Sequence, residues 1–220
     1  MKNAFIFDID GTLIDSNDFH ARSWEKAFAA HGKIIPFQKI RAQLGKGADQ
    51  LLPEFLSAQE VRAIGKQVSE LSGQIFKQEY MVQIRPFPKV RELFKKMRES
   101  GGRVALASSS KQEQVEQYKI IAQIDDLVEQ SASADDAEAS KPQPDIFHAA
   151  LAQLGDPPRD TVVVTGDSPY DAIAAKRAKL ASIGLLCGGF SQKELLAQGC
   201  RAIFQDPAHM LENLEQIFAM

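Results

Sequence analysis

The feature that most restricts the fold is a recurring unit: a short apolar run, then an amphipathic helical pattern. The runs are "AFIFDI" (4–9), "RVALAS" (103–108), "TVVVTG" (161–166), "SIGLL" (182–186) and a weaker "RAIF" (201–204). None alternates cleanly between apolar and polar. That is expected of parallel strands covered by helices on both faces. Between the runs, Val90, Leu93, Phe94 and Met97 recur at helical spacing and stop at Gly101-Gly102. Phe147, Ala150, Leu151 and Leu154 do the same before Gly155, and "SQKE" (191–194) is a capping-box pattern. Strand–helix alternation of this kind predicts an α/β fold with a doubly wound, Rossmann-like parallel sheet.

One region breaks the alternation. Between Ser16 and about Ile84 no strand is legible. Trp24, Ala27, Phe28 and His31 fit one helical face. Val61, Ile64, Val68, Leu71 and Ile75 fit another, behind a capping box at Ser57 and Glu60. The two prolines of "RPFPKV" (85–90) mark the return. The expected organisation is therefore a core from residues 1–15 and 85–220, interrupted by an all-helical segment, 16–84. "SASADDAEASK" (131–141) reads as a loop ending at a lysine.

The 220 residues suffice for a buried core, and 44% of them are hydrophobic. The net charge of −3 argues against a nucleic-acid or membrane-surface partner. Cys187 and Cys200 lack metal-type spacing and read as reduced thiols of a cytoplasmic protein. No run is long enough for a membrane helix, and acids interrupt the N-terminal apolar stretch too early for a signal peptide. A monomer is expected, with a dimer left open.

Acids stand where apolar strands end. Asp8 and Asp10 close the first run, two apart, so both side chains point to one face of the sheet. In "TVVVTGDSPYDAI", Asp167 closes the third run, and Asp171 follows at one helical turn. The carboxyl ends of parallel strands form the ligand crevice of such a sheet. Two like charges about 4 Å apart repel by about 4 kcal/mol at an effective dielectric of 20. A hard divalent cation, Mg²⁺, answers that repulsion with oxygen ligands. The four histidines are scattered and suggest no other metal.

Two further strand ends supply anion-binding groups. "ALASSSK" offers the hydroxyls of Ser108, Ser109 and Ser110 together with the first amides of the next helix. "SKPQPDIF" presents Lys141 from a proline-stiffened loop. A carboxylate nucleophile, a second carboxylate, metal carboxylates, a hydroxyl and a lysine are what covalent phosphoryl transfer needs. Asp8 is the expected nucleophile, and Asp10 the acid that protonates the leaving group and the base that activates water. Asp15 is left for a hinge or turn.

These motifs resemble the haloacid dehalogenase superfamily of phosphohydrolases, in the subgroup of phosphoglycolate phosphatases and beta-phosphoglucomutases. "DIDGTLIDS", "ALASSS", "SKPQPDIF" and "GDSPYDAI" are similar to its four motifs, in order. The resemblance implies that Asp8 and the backbone carbonyl of Asp10 join Asp167 and Asp171 around Mg²⁺. It implies that Ser108, Ser109 and Lys141 bind phosphate. It also implies that the helical insert is a cap that selects substrate, with "LGKGADQLL" (44–52) as a substrate loop. Lys46 and His20 are its candidate specificity residues, with Arg22 and Arg41 as further candidates.

The expected activity is Mg²⁺-dependent hydrolysis of a small phosphorylated metabolite. Asp10 and the second acidic pair argue against a metal-free dehalogenase. None of the lysines Lys33, Lys39 and Lys46 stands in the context of a phosphonatase. A sugar phosphomutase shares all of this chemistry and is the nearer alternative. A non-enzymatic phospho-receiver module is the distant one, since it has no use for Asp10 or for the insert.

Overall fold

A computed structural model describes residues 3–220. Its strands are β1 (Ala4–Phe7), β2 (Ile14–Asp15), β3 (Arg85–Pro86), β4 (Arg103–Ala107), β5 (Gln130–Ala132), β6 (Val162–Gly166), β7 (Ala181–Leu185) and β8 (Ala202–Phe204). Six of them form one parallel sheet in the order β5-β4-β1-β6-β7-β8. The chain builds outward from β1 in one direction, then restarts beside it in the other. The switch point therefore lies between β1 and β6, where a doubly wound sheet opens its crevice.

The expected strands all appear, with one difference of consequence. "AFIFDI" pairs as a strand only through Phe7, so Asp8 and Asp10 stand just past its end. Within β1, Phe5 and Phe7 face one layer while Ala4 and Ile6 face the other. Each fully buried side chain of this size contributes about 2 kcal/mol. The first layer includes α5 (Val90–Glu99), whose Val90, Leu93, Phe94 and Met97 are all buried as their spacing requires. It also takes up α6 (Gln112–Ala122). The second layer holds α7 (Asp145–Gln153) and α8 (Pro169–Arg177).

"SASADDAEASK" is not wholly a loop. Its first residues complete β5, the edge strand, pairing with β4 at Leu106↔Ser131 and Ala107↔Ala132. Gln, Ser and Ala carry no strand signal of their own, and the neighbour's open edge imposes the conformation.

Residues 16–84 are mostly helical. They form α1 (Asn17–Ala30), α2 (Phe37–Arg41), α3 (Ala48–Leu51), α4 (Ala58–Ile75) and a π-helical turn, Phe76–Tyr80. The Ser57–Glu60 capping box is present, with Glu60 accepting from the Ser57 amide at 2.8 Å. These helices bury their own cluster, which includes Phe28, Ile40, Leu51, Leu52 and Val68. The insert leaves and rejoins the sheet through a ribbon in which β2 pairs antiparallel with β3, Asp15 opposite Arg85. That places Asp15 at a crossing between the two parts, in keeping with a hinge or turn position. Among the described residues no helix is long and apolar enough to cross a membrane.

Candidate active site

Asp8 leaves β1 with its backbone still tied to the next strand: its amide donates to the Thr165 carbonyl at 2.9 Å. Its carboxylate is buried. Oδ1 accepts from Lys141 Nζ at 2.5 Å, and Oδ2 from Thr12 Oγ1 at 3.0 Å. Lys141 is fully buried. Its ammonium also lies 2.8 Å from Asp171 Oδ1 and donates to the Ala107 carbonyl at 3.1 Å. Asp167 completes the group, taking Thr12 Oγ1 at 3.1 Å and Asn17 Nδ2 at 2.9 Å. One oxygen from each of Asp8, Asp167 and Asp171 lies within 4.8 Å of the others.

The charges in this cluster do not balance. Three carboxylates face one ammonium, which leaves two negative charges uncompensated in a buried site. Burial, together with Asp171 and Asp10, pushes Asp8 up to about 7 despite Lys141. Burial, Asp8 and Asp171 push Asp167 well above the usual carboxylate range. Burial alone would lower Lys141, but Asp171 and Asp8 outweigh it and raise the ammonium above its ordinary value. Asp171 Oδ1 receives no well-directed hydrogen bond even though the ammonium is near. All-oxygen donors, an underused carboxylate oxygen and an excess of two negative charges fit a hard divalent cation. Among the described residues this is the one such cluster.

Asp10 is held differently. Oδ1 accepts from Ser16 Oγ at 2.6 Å and Tyr118 Oη at 2.6 Å, and meets His20 Nε2 at 2.9 Å. Oδ2 accepts from Ser110 Oγ at 3.0 Å. Burial would raise its pKa, but His20, Ser16 and Tyr118 together bring it down to about 2. Both Asp8 and Asp10 line one cleft, as their spacing implies. Only Asp8 contributes its carboxylate to the acidic cluster; Asp10 turns its own toward the donors.

Ser108 is buried, and its Oγ caps the serine turn by accepting from the Ser110 amide at 3.0 Å. Ser109 Oγ is buried at the cleft without a partner. His20 reaches the site from α1, stacked on Phe76 at 3.8 Å between ring centroids. Lys46 lines the cleft as well, but its ammonium is occupied by Gln43 at 2.5 Å and Glu54 at 2.6 Å. Arg22 and Arg41 are not brought into the cleft. Arg22 lies over the Phe37 ring, and Arg41 binds Asp18 and the Gly188 carbonyl.

The 44–52 loop rests on the sheet's crevice. Gly45, at φ +99°, leaves no room for a Cβ, which would come 2.4 Å from Ser168 Oγ. The Gly47 amide donates to Ser140 Oγ at 2.9 Å, and Asp49 accepts from the Ser140 amide at 3.1 Å. The two glycines thus seat the loop against the residues preceding Lys141 and following Asp167.

Thr12, Asn17, Ser16 and Tyr118 did not stand out in the sequence as site residues. Thr12 and Asn17 sit within the quoted "DIDGTLIDS" and just after it, so their nearness to Asp8 was the available signal. Tyr118 reads only as a buried aromatic of α6.

The whole fold, insert included, recurs in a known hydrolase. The chain belongs to the haloacid dehalogenase-like hydrolases, whose family model matches residues 2–179. A hydrolase from Pseudomonas syringae has the same fold, with a TM-score of 0.89 and 28% identity over 98% of this chain and 99% of that one. A phosphorylated carbohydrates phosphatase of Thermotoga maritima is 26% identical over 97% of this chain and 99% of its own length. A phosphoglycolate phosphatase of Colwellia psychrerythraea is 28% identical over 85% of each chain.

Proposed function

We propose that the chain is a Mg²⁺-dependent phosphomonoesterase that hydrolyses a small phosphorylated metabolite through an aspartyl-phosphate on Asp8. The observation that carries this reading is the cluster of three buried carboxylates around Lys141, at the switch point and open to the cleft. The relatives named as phosphatases agree with it.

Asp8, Asp167 and Asp171, with the backbone carbonyl of Asp10, would hold the cation, which when bound offsets their charge and that of the phosphoryl oxygens. Asp8 attacks phosphorus, and the ester P–O bond breaks as the Asp8–phosphorus bond forms. Lys141 holds Asp8 in position and stays charged, because the acids around it stabilise its proton. Ser108 and Ser109 face the phosphoryl group from the serine turn; Ser109 Oγ is unpartnered and available to it. Asp10 delivers a proton to the departing alkoxide, then takes one from the water that releases phosphate and restores Asp8. Its donors keep Asp10 ionised in the present arrangement, which suits the base step. The acid step requires it to leave this donor set carrying a proton. Residues 16–84 act as the lid, seated by the 44–52 loop, and residues 1–15 and 85–220 carry the chemistry.

The test is hydrolysis of a panel of phosphate esters with and without Mg²⁺, by the wild type and Asp8→Asn. Turnover surviving Asp8→Asn would remove the covalent mechanism, and activity unchanged in chelator would remove the metal. Isomerisation of a hexose phosphate faster than phosphate release would make the enzyme a mutase.

A further inference from the structure

Tyr118 packs in the core, yet its hydroxyl reaches the site. It stands on α6 and is 1% exposed. Its ring shares a buried cluster with Ile9, Leu13, Ile14 and Leu106, so close packing fixes where the hydroxyl can go.

A phenol has one proton to give and two lone pairs to offer. Gln114 Nε2, one turn earlier on α6, donates to Tyr118 Oη at 2.6 Å. His20 Nε2 lies 3.0 Å from Tyr118 Oη and 2.9 Å from Asp10 Oδ1. A ring nitrogen this close to an ionised carboxylate carries a proton, so His20 is a donor here too. Both neighbours therefore give to the phenol oxygen. Asp10 Oδ1, 2.6 Å away, accepts the one proton that Tyr118 has.

The two oxygens of Asp10 are not equivalent. Oδ1 meets Ser16, Tyr118 and His20, more contacts than its two lone-pair sites can serve. Among the described residues Oδ2 accepts from Ser110 Oγ alone, at 3.0 Å, and keeps one site free. Asp10 and Ser110 both line the cleft. That free site on Oδ2 is where this carboxylate can take a proton. The donors on Oδ1 also differ in origin. Ser16 stands at the start of α1 and His20 on it, whereas Tyr118 belongs to the core. A donor on the core keeps its relation to Asp10 wherever the insert stands.

We infer that Tyr118 is a positioning residue for the second half of the reaction. By filling Oδ1 from the core, it turns Oδ2 toward the water that cleaves the aspartyl-phosphate. The water oxygen bonds to phosphorus and its proton goes to Asp10 Oδ2. The Asp8–phosphorus bond breaks, and its electron pair returns to the Asp8 carboxylate. The inference rests on the phosphatase reading above and assigns a further residue to it.

The test uses the Mg²⁺-loaded enzyme and p-nitrophenyl phosphate, whose leaving group needs no proton, so that only the second step calls on Asp10. Rapid mixing separates formation of the phosphoenzyme, read as the p-nitrophenol burst, from its decay, read by acid quench after a chase. Tyr118→Phe removes the hydroxyl alone. Its decay should slow at least about five-fold, one hydrogen bond's worth, with formation within about two-fold of the wild type. Gln114→Met keeps the phenol and its packing but removes the aligning donor, and decay should slow at least about two-fold. In an Asp10→Asn background, Tyr118→Phe should change decay by less than about two-fold, because it acts through that carboxylate. Unchanged decay in either single variant, equal losses in formation and decay, or independent effects in the double variant would overturn the inference and leave the phosphatase reading standing. A wild type that turns over without any phosphoenzyme would sink both readings together.

Discussion

The two ends of the cleft solve opposite problems. At the sheet end, Asp8, Lys141, Asp167 and Asp171 are buried, crowded and overcharged, and nearly every polar atom already has a partner. At the insert end, Ser69, Ser72 and Trp24 line the cleft with uncharged side chains. The first end concentrates buried negative charge that a divalent cation would offset. The second sets neutral side chains against the open cleft. In the proposed reading, chemistry belongs to the sheet end and selectivity to the insert end.

Substitutions at the sheet end should have by far the larger effects. Asp8→Asn removes the proposed nucleophile, and kcat should fall by more than ~10⁴-fold on every ester, as losing a nucleophile does elsewhere. Asp10→Asn should cost roughly 10²–10⁴-fold. That loss should be smaller on p-nitrophenyl phosphate, whose leaving group needs no proton, and a uniform loss would contradict Asp10 as the acid.

Lys141→Met leaves three buried carboxylates without their ammonium. Urea unfolding in chelator should show a loss of about 3–5 kcal/mol, the cost of breaking a buried pair. Mg²⁺ should recover part of it. A variant as stable as the wild type would mean that the cluster is not electrostatically strained.

The same strain has a pH signature. Folding lifts Asp8 from 3.8 to about 7, so between these values the folded chain binds more protons than the unfolded one. Stability in chelator should therefore fall as pH rises from about 5 to 7, by up to ~1.4 kcal/mol per unit. Asp10 has the opposite sign, since its folded value of about 2 gives stability that is lost only below about pH 4. Thermal melts across this range should slope downward in chelator and flatten with Mg²⁺. A flat or rising profile in chelator would contradict the raised Asp8.

The smallest effect is expected from Tyr118→Phe, which removes one of the four contacts on Asp10. It should cost about 1 kcal/mol in unfolding experiments.

Sequence exposed the two ends unequally. Asp8, Asp10, Lys141, Asp167 and Asp171 were legible because each follows an apolar run or a proline-stiffened loop, where a charge is out of place unless it is used. His20 was visible only as a candidate. Its stacking on Phe76 and its contact with Asp10 depend on how α1 meets the π-helical turn. Tyr118 could not be found this way, because its partner lies 108 residues earlier and α6 would bury an aromatic there in any case. Arg22 and Arg41 misled for the converse reason: a cation near a hinge looks available until the fold gives it Phe37, or Asp18 and a carbonyl. β5 was hidden because its pairing comes from β4 and not from its own residues.

The most direct test of the central claim is acid-quenched mass spectrometry of the enzyme during turnover of a phosphate ester in Mg²⁺. A phosphoryl adduct on the peptide bearing Asp8, absent from Asp8→Asn and from chelated enzyme, is the expected result. Sustained phosphate release with no adduct on Asp8, or with the adduct on another residue, would contradict it.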